Sequence, residues 1–324
     1  MWFTACEAGQ LGEKKMATQW MPEGAIRITA GTPLGGGLDR VARALERAIA
    51  QSGGISVPVE VENIPGDGAR RVWRECIDAH PGDGHVVSIS SPNLTTDYLA
   101  GIADFEHTRY TPIATLVSEY IAFAVRYDSP YAGGTDLAAW LAEVPHDVTV
   151  ALSTALGNPN HIALAKLTRA AGGDVNAPVV RVFDTALDAV ADVVEGHADV
   201  CAVTVASVIA ELEAGNLRML AISSPERLSG LFADTPTWAE LGIDCNVGAW
   251  RGVTGPADMP DDQVAWWRGI LRDAVAQDVW DEELARMNWT AMYLDGEALQ
   301  THLSRERAEY VAILEELGLL NAPA

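Results

Sequence analysis

The sequence predicts an α/β fold of two lobes, each a mainly parallel sheet flanked by helices. Apolar strand-like runs alternate with helical periodicity along most of the chain, a glycine follows each helix of the middle part, and two successive strand–helix blocks lead into a mostly helical tail. Strands alternating with helices are the signature of βαβ units and parallel sheets. Length agrees, because 324 residues exceed one ordinary domain. With 48% hydrophobic and 21% charged residues there is apolar material for two cores.

The elements follow in order. Ile26 to Ala30 reads as a strand, and Leu38, Val41, Ala42, Leu45 and Ile49 then recur at helical spacing. Val57, Val59 and Val61 alternate as a half-buried strand does. Ala69, Val72, Trp73 and Cys76 mark a helix that stops before "HPGDG", and "HVVSIS" is the next strand. In the middle, "VTVAL" leads to a helix from Pro159 that Gly172 and Gly173 end. "VVRVF" leads to the stripe Leu187, Val190, Ala191 and Val194, ended by Gly196. "DVCAVTV" leads to a helix ended by Gly215, and then comes "LRMLAIS". Glycine past a helix is the expected left-handed stop. Thr237 and Glu240 have capping-box spacing before a short helix closed by Gly242. Helices over "DDQVAWWRGILRDAVAQ" and near 295–317 form the tail, expected to pack back on the first lobe.

Charge and cysteines narrow the chemistry. Against 45 Asp and Glu stand 22 Lys and Arg, a net charge of −23. So acidic a surface repels phosphate backbones and anionic headgroups, so nucleic acid is not an expected partner. Cys6, Cys76, Cys201 and Cys245 share no CxxC spacing, so neither zinc nor a redox pair is indicated. Cys76 and Cys201 sit in apolar patterns and read as buried thiols. No metal and no cofactor are expected. No apolar run is long enough to span a bilayer. Nothing in the chain matches a GxSxG elbow, HExxH or a kinase signature, and no nucleophile is nominated.

Four strand-to-helix junctions carry the candidate chemistry. In "TPLGGGLD" three glycines stand where a helix begins, and unpaired helix N-terminal amides with the helix dipole attract anions. A tight structural turn explains the same glycines. The motif is neither GxGxxG nor GxxxxGK[ST], so no dinucleotide or Walker site follows. In "STALGNPNHIAL", Asn158 suits an N-cap and Pro159 the first helical position, with Ser153, Thr154 and Asn160 as neutral donors nearby. His161 either donates to a carboxylate or packs against its own helix start. In "VFDTALDAV", Asp184 is expected to cap the helix and leave Thr185 for a ligand. "SSPNLTTDYL" adds Ser91 and Asn93. Neutral donors alone would let an acidic chain bind an anion. Arg251 is either a cation at the crossing between lobes or a surface salt bridge, and Trp250 either a cleft wall or core. A bulky side chain at Gly36 is expected to block the site and spare the fold.

Taken in order, "GTPLGGGLDRVARAL", "VPVEVENIPGDGARRVW", "YTPIATL", "SPYAGGTDLAAWL", "LGNPNHIALAKL", "LRMLAISSPERL", "ADTPTWAELGID" and "AWRGVTGPADMPDDQV" resemble the solute-binding proteins of tripartite tricarboxylate transporters, the Bug or TctC family. The resemblance covers nearly everything from residue 25 onward. It implies a two-lobed periplasmic-binding-protein-like fold, with a flexible leader over 1–24, one lobe from 25–125 and 249–324, and the other from 126–248. The cleft between them would close on a small organic carboxylate, with crossing strands near 120–128 and 244–253 as the hinge.

Site residues follow from the same resemblance. The first loop is Thr32, Pro33, Leu34, Gly35 and Gly36, reaching Gly37; the facing loop supplies Ser153, Thr154, Gly157, Asn158, Asn160 and His161. Thr185 and Thr204 are carried over too, beside Ser91, Asn93 and Trp250 from the residue reading. Where relatives have "AGG" this chain has "PLGGG", so Leu34 would add an apolar wall. "SPY" and "WRG" lean toward the tricarboxylate-binding branch, but "GNPNH" departs from that branch and "FDTA" lacks the lysine and glycine of many relatives, favouring a dicarboxylate or an apolar-bodied monocarboxylate over citrate; aromatic carboxylates remain in range. The implied partners are membrane permease subunits, and the implied place is extracytoplasmic, as a monomer. "FTAC" before "EAGQ" looks like the end of a lipoprotein signal, with Cys6 acylated, or a start-site artefact. A two-lobed enzyme using His161 or Asp39, or a sensory partner, would share the same cleft.

Overall fold

A computed structural model describes residues 20–105 and 107–321. Cys6 and most of the expected leader lie outside the described residues. The first block runs β1 (Ile26–Ala30), α1 (Gly37–Ser52), β2 (Val59–Asn63), α2 (Arg70–Ala79), β3 (Val86–Ser90) and α3 (Asn93–Leu99). β4 (Thr111–Arg126) follows, a 16-residue strand buried along nearly its whole length. The second block runs α4 (Gly134–Glu143), β5 (Thr149–Ser153), α5 (Pro159–Ala171), β6 (Val179–Phe183), α6 (Ala186–Val194), β7 (Val200–Thr204), α7 (Ile209–Glu213) and β8 (Leu217–Ile222). The tail holds β9 (Gly248–Gly255), α8 (Asp261–Ala274), α9 (Asp278–Met287), β10 (Thr290–Asp295) and α10 (Gly296–Glu316).

Among the described residues the strands join in the order β2-β1-β3-β9-β4-β7-β5-β6, with β10 and β8 also pairing with β4. Pairing is parallel for β1–β2, β1–β3, β5–β6 and β5–β7. Around β4 it is antiparallel: residues up to Tyr120 bond to β9 and β10, and those from Ile121 onward to β7 and β8. One continuous strand therefore belongs to both halves, and the two parallel sets flank it.

Apolar burial follows these halves. Ile28, Leu45, Trp73, Ile89 and Trp267 belong to one core, and Phe123, Leu152, Leu164 and Trp238 to a second. The Trp238 ring meets Phe123 edge-on at 5.1 Å between centroids. A third cluster, with Val193, Val203 and Phe232, fills the other face of the second half. The tail was expected to pack back on the first lobe, but it divides between the two cores. α8 and α9 contribute Trp266, Trp267 and Trp280 to the first core, whereas Tyr310, Ile313, Leu314 and Leu317 of the α10 end join the second. Their spacing of three and four residues puts all four on one helix stripe.

Local signals are met with two exceptions. Gly172 closes α5 at φ 89 in the left-handed region, as expected. Thr237 and Glu240 exchange both capping-box hydrogen bonds, at 2.8 and 3.1 Å, yet turns rather than a helix follow. Asp184 is not the cap of α6. Thr185 holds that position and accepts from the Asp188 N–H at 3.1 Å. Cys76, Cys201 and Cys245 are buried free thiols, each pushed up to about 12 chiefly by burial.

Candidate functional site

Parallel strands deliver their following loops to one edge of a sheet, and in open α/β folds ligands sit beyond the carboxyl ends of the strands. Here the loops after β1, β2, β3, β5 and β7 converge. A side chain added at Gly31 would strike Ala69, joining the first two loops. Across the halves, Asn93 Nδ2 donates to Thr154 Oγ1 at 3.2 Å, and Arg40 Nη1 donates to the Ala206 carbonyl at 3.3 Å. The loops holding Gly35, Asn93, Thr154 and Thr204 are thus gathered where the halves meet.

The first loop is less bare than the glycines suggest. Gly35 takes φ 80, open to glycine without strain, and its N–H donates to Asp39 Oδ2 at 2.7 Å. Asp39 also accepts from Arg43 Nε at 2.8 Å and Asn63 Nδ2 at 2.9 Å, while its own N–H donates to Thr32 Oγ1. The loop is therefore braced by a carboxylate one helical turn ahead, whose charge Arg43 offsets. Gly36 N–H goes to the Pro33 carbonyl. Leu34 is 76% exposed at the loop tip, so its side chain stands in solvent. A Cβ on Gly36 would lie 2.6 Å from Thr32 Cβ and 2.7 Å from its hydroxyl. Bulk there would break the loop itself, which corrects the expectation that it would merely block the site. At Gly37 a Cβ would meet only Arg251 Nη2, at 3.7 Å.

The facing loop is similarly self-braced. Asn158 caps α5, accepting from the His161 N–H, and its Nδ2 donates to the Ser153 carbonyl at 2.5 Å and to Thr154 Oγ1 at 2.7 Å. Asn160 Nδ2 reaches Ser153 Oγ at 3.1 Å. Thr154 is held at φ 70, a strained setting for a residue with a Cβ. His161 is buried and accepts from the Gly157 N–H at its Nδ1, and burial depresses it to about 4, so the ring is neutral. Of the two readings open for His161, the structure gives the one packed on its own helix start. His161 Nδ1 and both oxygens of Asp39 are thus held by neighbouring groups.

Trp250 lies elsewhere. Alternate residues of a strand face opposite ways, and its neighbour Arg251 approaches Gly37 and pairs with buried Glu119 at 2.5 Å. Trp250 therefore faces away, donating to Glu306 Oε2 at 2.7 Å within a cavity of about 700 Å³ between α5, α10 and the crossing strands. It is 5% exposed and is not a wall of the loop cluster. The Arg251–Glu119 pair, which Trp289 Nε1 joins at 2.8 Å, is buried rather than a surface bridge. Ser91 is buried at the start of α3, and the Thr204 hydroxyl meets Ser207 at 3.2 Å. Thr185 spends its hydroxyl on its own helix, contacting Asp188.

Cations are what the residue reading missed. Arg40 and Arg70 reach the loop cluster, so its donors are not only neutral ones. Arg40 follows the glycines by less than a turn of α1, and its Nε donates to the Gly35 carbonyl. Arg70 is the first residue of α2 and pairs with Asp97 at 2.9 Å. The available signal was their position at helix starts after "GGGLD" and "GDGA". Among the described residues no group of His, Cys, Asp and Glu could hold a metal ion, and no helix is long and apolar enough to cross a membrane.

Two α/β halves that share crossing strands and oppose their strand-end loops define the periplasmic-binding-protein class. This chain belongs to the tripartite tricarboxylate transporter receptor family: residues 41–319 match "Tripartite tricarboxylate transporter family receptor". It is 28% identical over 260 residues to the "UPF0065 protein in tcbD-tcbE intergenic region" of Pseudomonas sp. (strain P51), covering 79% of this chain and 75% of that one. It is 24% identical over 304 residues to "Protein BugT" of Bordetella pertussis, covering 92% and 90%. A TctC solute-binding protein from Polaromonas superposes with a TM-score of 0.69 at 26% identity, covering 91% of this chain and 99% of that one. Two further folds match at lower identity. Rpa4515 of R. palustris, solved with adipate, has a TM-score of 0.80 at 19% identity over 92% and 98% of the chains. MatC of Rhodopseudomonas palustris, with bound malate, has 0.71 at 21% over 93% and 100%.

Proposed function

We propose that this chain is an extracytoplasmic receptor that captures a small organic carboxylate by hinged closure, without catalysis, and hands it to the membrane permease subunits of a tripartite transporter. Family membership supports the receptor role, and the acids in the adipate- and malate-bound neighbours support the ligand class. The observation that carries the reading is the Asn93–Thr154 hydrogen bond, which ties loops from the two halves together around donor groups. In this reading the first half with α8 and α9 moves against the second half, which carries the α10 end, and β4 with the segment leading into β9 absorbs the change. A ligand touching both sides favours closure by its differential affinity.

A panel of dicarboxylates, tricarboxylates and aromatic carboxylates, followed by thermal unfolding, tests it. At about 100 times its dissociation constant a true ligand adds about 2.7 kcal/mol to stability and raises Tm accordingly. The expected result is a rise for one or a few acids, with each bound acid recovered unchanged by chromatography. A flat response across the panel refutes the receptor reading, and turnover refutes its non-catalytic part.

A further inference from the structure

Resting on the receptor reading above, we propose that Arg70 is the specificity-determining residue of the cleft. It takes the second carboxylate of a short two-ended acid whose first carboxylate sits on the Thr154–Asn160 loop. The geometry begins at Gly68, which takes φ 62 in the loop between β2 and α2. A Cβ built there would lie 3.1 Å from Arg70 Nη1 and 3.7 Å from Thr154 Cβ. The guanidinium and the facing loop thus flank the same glycine, and because a side chain there would crowd Nη1, its absence lets the Arg70 guanidinium stand close to the facing loop.

Among the cations near the loops, Arg70 has the most donor capacity left. Arg40 spends Nε and Nη1 on the Gly35 and Ala206 carbonyls. Arg43 bonds Asp39 and Asn63. Arg251 is 11% exposed and bound to Glu119. Arg70 keeps 20% exposure and makes one side-chain contact, Nη1 to Asp97 Oδ2. Its Nε and Nη2 have no acceptor among the described residues. Two guanidinium donors in a fixed fork match a carboxylate.

Asp97 is the hold on that fork. It is 1% exposed, its Oδ1 has no hydrogen-bond partner, and burial lifts it to about 6 despite Arg70. One oxygen orients Nη1 and leaves the other edge of the guanidinium for the ligand. The short reach from Arg70 to Thr154 selects acids with carboxyl groups few bonds apart.

Isothermal titration of the full chain with succinate, glutarate and adipate, each beside its half-amide, tests this. The half-amide keeps size and removes one charge, so it reads charge recognition rather than fit. Wild type is expected to favour its best diacid over the matching half-amide at least tenfold. Arg70→Gln should lose tenfold or more for the diacid while its half-amide affinity stays within twofold, a split that a merely structural arginine would not produce. Should Arg70→Gln fail to fold, with Asp97 left unpaired, Arg70→Gln/Asp97→Asn removes both charges and is held to the same split. Diacids that bind wild type no better than half-amides, or an Arg70 variant that keeps the preference, overturn the proposal and leave the receptor reading standing. Binding of none of these acids, together with a flat wider panel, overturns both.

Discussion

Replacing Glu306 with Gln should change how stability depends on pH. The carboxyl of Glu306 accepts from Trp250 Nε1 at 2.7 Å and also bonds Tyr310, whose ring is buried. Burial is the largest influence on it, and lifts it from the ordinary 4.5 to about 7. The groups facing it from the same cavity are His302, Arg305 and Glu309 on α10, Lys166 and Arg169 on α5, and Asp244. A carboxyl raised in the folded state takes up a proton on folding. Its contribution is fully present below the unfolded value and is lost as pH rises through the folded one. From 4.5 to about 7 the full effect is ~3 kcal/mol, of which roughly 2.5 falls between pH 5 and 8. Gln accepts the Trp250 N–H and has no proton to lose. Urea unfolding followed by tryptophan fluorescence at pH 5, 6, 7 and 8 measures both proteins. The general repulsion of a chain with net charge −23 is nearly common to both, so their difference isolates this one group. The variant should gain roughly 2–3 kcal/mol relative to wild type across that range. Parallel pH curves, within about 0.5 kcal/mol, would refute the assignment of a carboxyl whose proton is held more tightly behind the crossing strands than in water.

Three more predictions concern the loop cluster. Gly36→Ala should cost about 1–3 kcal/mol in urea unfolding, because its Cβ meets Thr32 at 2.6 Å, whereas Gly37→Ala should stay within about 0.5 kcal/mol. Arg251→Met strands Glu119, 1% exposed, in the core; a loss of about 3–5 kcal/mol is expected, with much of it recovered in Glu119→Leu/Arg251→Met. His161 is held at about 4 against an ordinary 6.5, so its contribution, present above pH 6.5, is lost as pH falls through 4. His161→Asn keeps an acceptor for the Gly157 N–H and should flatten that acid limb by ~3 kcal/mol.

The elements that were legible announce themselves over a few residues, whereas α3, α4, α9 and β10 carried no periodic signal that was read. Gly172 and Pro159 mark the ends of α5, and the alternating valines mark β2. The Asn158 cap needed no more than its own first turn. Loop contents were legible only as residue types. That Asp39 would reach back to the Gly35 amide depends on a rotamer and on a left-handed glycine, and spacing alone left the amide looking free. The capping box at Thr237 formed without its helix, because two side-chain bonds do not outweigh the packing that sets the following turns.

By itself the sequence determined the alternation of strands and helices, the junctions that would carry polar donors, the family and the absence of a recognisable catalytic motif, since all of these are local or collinear properties. Tertiary structure alone decided that Trp250 and Arg251 face opposite sides of one strand, that the end of α10 packs on the second core, and that Arg70 and Thr154 share the space beside Gly68. Those relations join residues far apart in the chain, and only the docking of the two halves brings them within ångströms.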